Sequence, residues 1–131
     1  MAIEANLTIN NKSYNLLGLS YEISQPLDDA GKPSAKPDGG IIDFTIKSPG
    51  DEDMSFHEWM IKPLDLHSGK FELSIIGSDW TNVKRTIEFK DAYCIGLSEE
   101  FDFDDEKNVC LKVKIAASEL TFGAKTQVKL G

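Results

Sequence analysis

The sequence contains few residues that could support metal binding or cross-linking: two histidines and two cysteines among 131 residues. Cys94 and Cys110 lie in separate strand-like segments, so in a reducing compartment we expect free, half-buried thiols. A disulfide would require those strands to be neighbours with suitable geometry. His57-Glu58 begins like the zinc motif H-E-x-x-H, but the position of the second histidine is Ile61. The sequence therefore predicts no metal site at the histidines.

The chain also lacks an excess of positive charge: acidic residues outnumber basic ones, and the formal net charge is −8. A nucleic-acid-binding protein needs a basic surface to neutralise phosphates, and an anionic membrane surface would repel this chain. No run approaches the roughly 18 apolar residues of a membrane span, and the N-terminal sequence lacks the basic start and apolar run of a signal peptide. We expect a protein that is made and folded in the cytoplasm, without nucleic acid and without membrane insertion.

Catalytic motifs are missing as well: there is no P-loop, no G-x-S-x-G and no cysteine with a convincing histidine partner. The acidic run "SEEFDFDDEKN", residues 98–108, lacks the glycine and the ligand spacing of an EF-hand. It is better interpreted as a polar turn, with adventitious cation binding as the alternative. The sequence thus predicts no enzyme, no cofactor and no metal.

What the sequence has is period-2 alternation of apolar and polar residues, which indicates half-buried strands. The pattern predicts a mostly β, antiparallel barrel or two-sheet sandwich of six to eight strands, forming one domain over residues 1–131. A phase slip at Leu16-Leu17, close to Gly18, predicts a bulge or bend. After a phase change near residues 90–91, the next strand is predicted to face inward through Tyr93, Ile95 and Leu97.

One segment is typical of a short inserted helix, about residues 55–62. Ser55 and Glu58 have the spacing of a capping box, and a proline follows the segment. A helix of about two turns is marginal alone, so it must dock on the sheet through Phe56, Trp59 and Met60.

A long polar loop interrupts the strands at "QPLDDAGKPSAKPDGG", residues 25–40. Connections beyond roughly 12 residues are uncommon in compact domains and tend to be functional or disordered. Pro26, Pro33 and Pro37 fix φ locally, so the loop is semi-rigid, and Gly39-Gly40 frees the backbone where the chain enters the next strand. These features favour a projecting docking element; a harmless surface insertion is the alternative.

Several stretches resemble one family. "YEISQPLDDAGKPSAKPDGGIIDFTIKSP" (residues 21–49), "FHEWM" (56–60) and "KDAYCIGLSEEFD" (90–102) are similar to the haemolysin-coregulated protein (Hcp) family, in its divergent TssD-type branch. This is the tube protein family of the type VI secretion system. The likeness covers nearly the whole chain in order and length.

The resemblance implies a β-barrel with a helix on its side, hexameric rings of identical subunits, and stacking of the rings into a tube inside a contractile sheath. The tube leaves the cell with a spike protein and effector proteins, some of them held in the ring lumen, and its subunit carries no cleaved signal peptide. The loop implied to contact the next ring corresponds here to Gln25, Pro26, Asp28, Lys32, Pro33, Ser34, Lys36, Pro37, Gly39 and Gly40.

Two alternatives share this fold class. The first is a monomeric barrel that binds a small ligand, and it would keep a lined internal cavity. The second is the tail-tube protein of a related contractile phage-like particle. The many inward-phase Ile, Leu and Phe residues favour a filled interior over a ligand cavity.

Overall fold

The described part of the chain forms seven strands and one helix. The structure is a computed structural model that describes residues 2–24, 27, 29–32, 38–76, 82–101, 109–123 and 126–129. In chain order the elements are β1 (Ala2–Ile9), β2 (Lys12–Ser24), β3 (Asp38–Lys47), α1 (Ser55–Ile61), β4 (His67–Ile76), β5 (Asn82–Glu100), β6 (Cys110–Phe122) and β7 (Thr126–Lys129). The predicted mostly β architecture with one short helix is confirmed.

Antiparallel pairing closes six of these strands into a barrel. The strand order is β3-β2-β1-β4-β5-β6-β7, and β3 pairs in addition with β6. Residues 41–47 of β3 pair with residues 110–116 of β6, and β7 occupies the same edge of β6 further along, at residues 119–122. The alternation pattern predicts no strand after Phe122, and β7 is defined by its pairing with β6.

Local sequence explains several of the turns and bends. Asn10 and Asn11 both have positive φ, 50° and 64°, and form the two-residue turn between β1 and β2. Asparagine tolerates this left-handed conformation, which the tight hairpin turns require. The register of β2 against β3 shifts between Leu16 and Gly18, so the bulge predicted there is confirmed.

The inward face of β5 differs from the prediction. Ala92 and Cys94 are buried, whereas Tyr93 and Ile95 are 39% and 45% exposed, so the predicted inward orientation of these two side chains is wrong. The reason is a break in alternation at Asp91, which has a φ of 51°. The irregularity moves the even-numbered positions to the inside, because a one-residue slip sends every following side chain to the other face.

Apolar side chains fill the barrel, and aromatic rings run through its centre. Phe44 lies 5.4 Å from Phe71 between ring centroids, and Phe71 lies 5.3 Å from Phe89. Gly69 permits this packing, because a Cβ at its position would lie 2.8 Å from the Phe89 ring and 2.7 Å from the Thr8 carbonyl oxygen. The other buried side chains include Leu7, Ile42, Ile46, Ile87, Leu111, Val113, Ile115 and Leu120, and Leu97 packs against them as predicted.

Helix α1 docks on this core through the predicted face. Phe56 and Trp59 are buried, and Met60 is partly buried against the core. The Phe56 ring contacts Phe44 and Tyr14 at centroid distances of 5.9 and 5.1 Å.

In the part of the chain that the structure describes, no helix is long and apolar enough to cross a bilayer.

The N-terminus of α1 is not the capping box that the sequence predicts. Ser55 is the first helical residue, and Met54 precedes it without a side-chain cap. The Glu58 amide donates to the Met54 carbonyl, 2.9 Å, instead of to the Ser55 hydroxyl. The cap is supplied from further upstream: the Asp53 carboxylate accepts the Ser55 amide at 3.1 Å. The box fails because Ser55 lies inside the helix instead of before it, so the Glu58 amide is used by the helical bond to Met54.

We predict that Trp59→Ala lowers the free energy of unfolding by about 3–5 kcal/mol, because the side chain is 3% exposed and leaves a cavity. Urea unfolding measures the change. Ile61→Ala, on the same helix but 76% exposed, is the matched control and is expected to shift stability by less than about 0.5 kcal/mol. Equal effects of the two substitutions would contradict the docked face.

Candidate functional site

The predicted contact loop leaves and re-enters the barrel between β2 and β3. Of its predicted contact residues, Lys32, Gly39 and Gly40 lie within the described residues, and Lys32 is exposed. The others lie outside the described residues: Gln25, Pro26, Asp28, Pro33, Ser34, Lys36 and Pro37. At the base of the loop, Ile23 of β2 pairs with Gly39 of β3.

Gly40 makes the re-entry of the chain into β3 possible. The register shifts by one residue between the pairs Glu22↔Ile41 and Ile23↔Gly39, which leaves Gly40 as the extra residue of a bulge. Its φ is 72°, and it is buried. Any side chain here would adopt a left-handed conformation that glycine tolerates best. The prediction that a glycine frees the backbone at this strand entry therefore fits the geometry.

A polar cluster fastens the start of α1 to the β1–β2 hairpin. The Asp53 carboxylate accepts hydrogen bonds from the Tyr14 hydroxyl and from the hydroxyl and amide of Ser55. Lys12 Nζ lies 3.4 Å from the same carboxylate and donates to the Ser55 hydroxyl at 3.2 Å. The cluster joins residues about 40 positions apart, so no local sequence pattern predicts it.

The cluster moves two pKa values in opposite directions. Desolvation opposes the ionisation of Asp53, but the hydrogen bonds from Ser55 and Tyr14 outweigh it and hold the pKa of Asp53 well below its usual range. Desolvation, together with the hydrogen bond to Asp53, raises the pKa of Tyr14 to about 12. The cluster is therefore built for an ionised Asp53 and a neutral Tyr14 across the range between acid and strong alkali.

A second set of contacts joins α1 to the end of β5. The Ser48 hydroxyl donates to Glu99, and His57 Nε2 lies 3.9 Å from the same carboxylate. His57 Nδ1 is buried without a hydrogen-bond partner among the described residues. His57 is thus a partly packed residue beside one carboxylate. No group of three or more metal-ligating side chains occurs within the described ranges.

Cys94 of β5 and Met60 of α1 contact each other between the same two elements. Cys94 Sγ is 3.8 Å from Met60 Sδ, and burial raises the pKa of the Cys94 thiol. Cys110 pairs in register with Glu100, far from Cys94. Both cysteines are free, as predicted.

The interior leaves little room for a ligand. A cavity between the hairpin and α1 has a volume of about 20 Å³ and is lined by Tyr14, Phe56, Trp59 and His67, among others. Such a space admits about one water molecule. The Trp59 indole N–H is already bonded to the Asp65 carbonyl at 3.0 Å. The larger cavities among the described residues, about 530 to 600 Å³, are open grooves on the surface.

Comparison with known proteins gives one family over almost the entire chain. Residues 1–129 match the family described as "Hemolysin coregulated protein Hcp (TssD)". No curated protein matches the chain by sequence.

Solved structures of this family share the fold. Hcp1 from Flavobacterium johnsoniae is 27% identical, with a TM-score of 0.75, over 96% of this chain and 98% of that one. The secreted protein Hcp3 from Pseudomonas aeruginosa is 10% identical, with a TM-score of 0.68, over 99% of both chains. A type VI secretion system effector from Yersinia pestis is 8% identical, with a TM-score of 0.63, over 90% and 87% of the two chains.

We predict that Asp53→Asn lowers the free energy of unfolding by about 1.5–3 kcal/mol at pH 7, because hydrogen bonds to a charged acceptor are lost. The pKa of Asp53 is depressed in the folded state. Its stabilisation is therefore complete above its ordinary value, about pH 4, and is lost as the pH falls towards the folded-state value. Urea unfolding from pH 7 to pH 2 should show the two proteins converging at the acid end.

The exposed Asp51 provides the control for that experiment. Asp51→Asn is expected to change stability by less than about 0.5 kcal/mol at pH 7. A difference between wild type and Asp53→Asn that stays constant down to pH 2 would show that the carboxylate charge does not hold α1.

Proposed function

Since this chain belongs to the haemolysin-coregulated protein (Hcp, TssD) family, we propose that it forms hexameric rings that stack into the expelled inner tube of a type VI secretion machine. The chain is a type VI secretion tube protein, and the family is structural, not enzymatic. The number of subunits in the ring and the contacts between rings are the parts that we infer.

The observation that carries the proposal is the family match over residues 1–129, which includes the barrel, its side helix and the loop after β2. The packed interior agrees with it. A barrel filled by its own side chains must act through its outer surface, which suits an assembly subunit better than a monomeric ligand carrier. No observation favours the ligand carrier further.

A ring can form through one head-to-tail interface that is repeated between identical subunits. The ring closes when the rotations between neighbours add up to a full turn. We infer six subunits from the family, with contacts between rings made by the loop between β2 and β3. The residues proposed for these contacts are Gln25, Pro26, Asp28, Lys32, Pro33, Ser34, Lys36, Pro37, Gly39 and Gly40.

The partners follow from the place of the tube in the machine. We propose that the stacked rings contact a spike protein at one end and a contractile sheath around the outside, and that effector proteins travel in the lumen. The subunit is assembled in the cytoplasm and then leaves the cell through this apparatus.

The mass of the purified protein tests the ring. Light scattering on a sizing column is expected to give a particle of six times the 14.5 kDa subunit mass, and electron microscopy a six-fold ring. A ring with a different number of subunits would correct the stoichiometry. A monomer at every protein and salt concentration would contradict self-assembly without partners.

We also predict that replacing residues 32–36 with a glycine–serine linker leaves the subunit folded and weakens tube assembly. Pro33 restricts this segment of the loop, and a flexible linker would raise the entropy lost on docking. Tube length by electron microscopy and secretion from cells are the measurements, with thermal unfolding as the folding check. Leu64→Ser, at an exposed site after α1, is the control. Intact tubes and secretion in the linker variant would reduce the loop to an insertion.

A further inference from the structure

One end of the barrel carries an open groove of about 600 Å³. It lies where β2 and β6 end and β5 begins, outside the packed interior. Its lining includes Tyr21, Lys84, Arg85, Thr86, Phe122 and Gly123, and we call these six residues the basic mouth. A hydrogen bond from the Gly123 amide to the Thr86 carbonyl, 2.8 Å, holds the end of β6 to β5 at this point.

The charge of the mouth is opposite to that of the whole chain. Among the described residues, no carboxylate lines this groove, although the net charge of the chain is −8. The two other large grooves on the described surface differ, because each of them has lysines and carboxylates side by side. The mouth is therefore a local excess of positive charge, and such a cleft attracts anions.

Arg85 and Lys84 supply this charge. Arg85 is the single arginine of the chain, and the two form its only pair of adjacent basic residues. Both are exposed, and within the described residues neither side chain has an ion pair or a hydrogen bond. Arg85 lies on the same side of β5 as the buried Ile87 and Phe89, in an unbroken register. Its guanidinium group therefore belongs to the open end of the barrel and is free to bind a ligand.

An aromatic surface lies beside these cations. The rings of Tyr21 and Phe122 are 5.3 Å apart between centroids, at an angle of 38°, and Tyr21 remains 41% exposed. A third ring can pack against Tyr21, because aromatic rings associate in offset or edge-to-face arrangements. The mouth thus offers two charges and a ring surface to one ligand.

A small phosphate ester that carries an aromatic ring has the matching chemistry. A phosphate monoester has between about 1.5 and 2 negative charges at pH 7, which suits two adjacent cations. Arginine binds phosphate through two parallel hydrogen bonds. The volume of the groove lies in the range of about 300–1,000 Å³ that is usual for small-molecule sites. A nucleic acid strand is disfavoured, because its many phosphates would meet a chain of net charge −8.

We propose that the basic mouth binds a small aromatic phosphate ester, of the class of the nucleoside monophosphates. The phosphate contacts Arg85 and Lys84, and the aromatic ring packs on Tyr21. One subunit holds all of these residues, so binding does not require a ring. The inference goes beyond the proposed function, because it gives the tube subunit a small-molecule ligand of its own.

Calorimetric titration of the full-length protein with adenosine 5′-monophosphate tests the site. Wild type should bind it saturably, with a Kd below about 1 mM. Arg85→Gln should bind about tenfold or more weakly, because the charged hydrogen bonds to the phosphate are lost. Lys90→Gln, which removes an exposed cation of the same strand outside the mouth, should stay within about twofold of wild type. Thermal unfolding should be the same for all three proteins, since Arg85 and Lys90 are exposed.

The two halves of the probe test the two halves of the site. Ribose 5-phosphate lacks the base and adenosine lacks the phosphate, so each should bind about fivefold or more weakly than the complete nucleotide. Tyr21→Leu should weaken the binding of adenosine 5′-monophosphate and leave that of ribose 5-phosphate unchanged, because it removes only the ring surface. Added salt should weaken both phosphate probes, since it screens exposed charges.

Titrations that do not saturate, or equal losses in Arg85→Gln and Lys90→Gln, would overturn the proposal. Ribose 5-phosphate that binds as tightly as the nucleotide would overturn the ring contact and with it the proposed class of ligand. A single-stranded oligoadenylate that binds more tightly than adenosine 5′-monophosphate would also overturn it, in favour of nucleic acid. Light scattering on the same samples separates these results from the proposed function: a six-subunit ring without nucleotide binding contradicts only the site, and a monomer that binds the nucleotide contradicts only the ring.

Discussion

The pairing of β3 with β6 is the constraint on which the rest of the structure depends. It closes six strands into a barrel, which creates an inside for the apolar side chains and an outside for assembly. Closure also satisfies the backbone groups of two strands that would otherwise be open edges. Because β3 must enter this pairing through the bulge at Gly40, closure further fixes where the long loop leaves the barrel.

Helix α1 covers the part of β5 that has no β4 residues beside it. Beyond Ala92 the register of β5 with β4 ends, and the helix packs alongside that free part of β5. A seven-residue helix has little stability alone, so its place depends on tertiary contacts. Phe56 and Trp59 supply the apolar contacts, and Asp53 ties the start of the helix to Tyr14 on the hairpin. The helix is thus part of the barrel wall and not an appendage.

The strands, the helix and its docking residues could be predicted from the sequence, because alternation and a short amphipathic run are local signals. The Asn10-Asn11 turn and the bulge near Gly18 are local as well. What failed depends on distant partners: the side chains of Tyr93 and Ile95 face outward because of a slip at Asp91, whose amide donates to the Ser68 hydroxyl on β4. The helix cap came from Asp53 since Tyr14 and Lys12 are there to support its charge.

The row of rings from Phe44 through Phe71 to Phe89 has a mechanical consequence. A protein interior packed at crystal-like density has low compressibility and transmits strain, whereas an empty barrel could buckle. A thrust applied to one end of this subunit is therefore passed to its other end with little loss to deformation. In the tube proposed here, which a contracting sheath would expel, a packed centre lets each subunit carry that force.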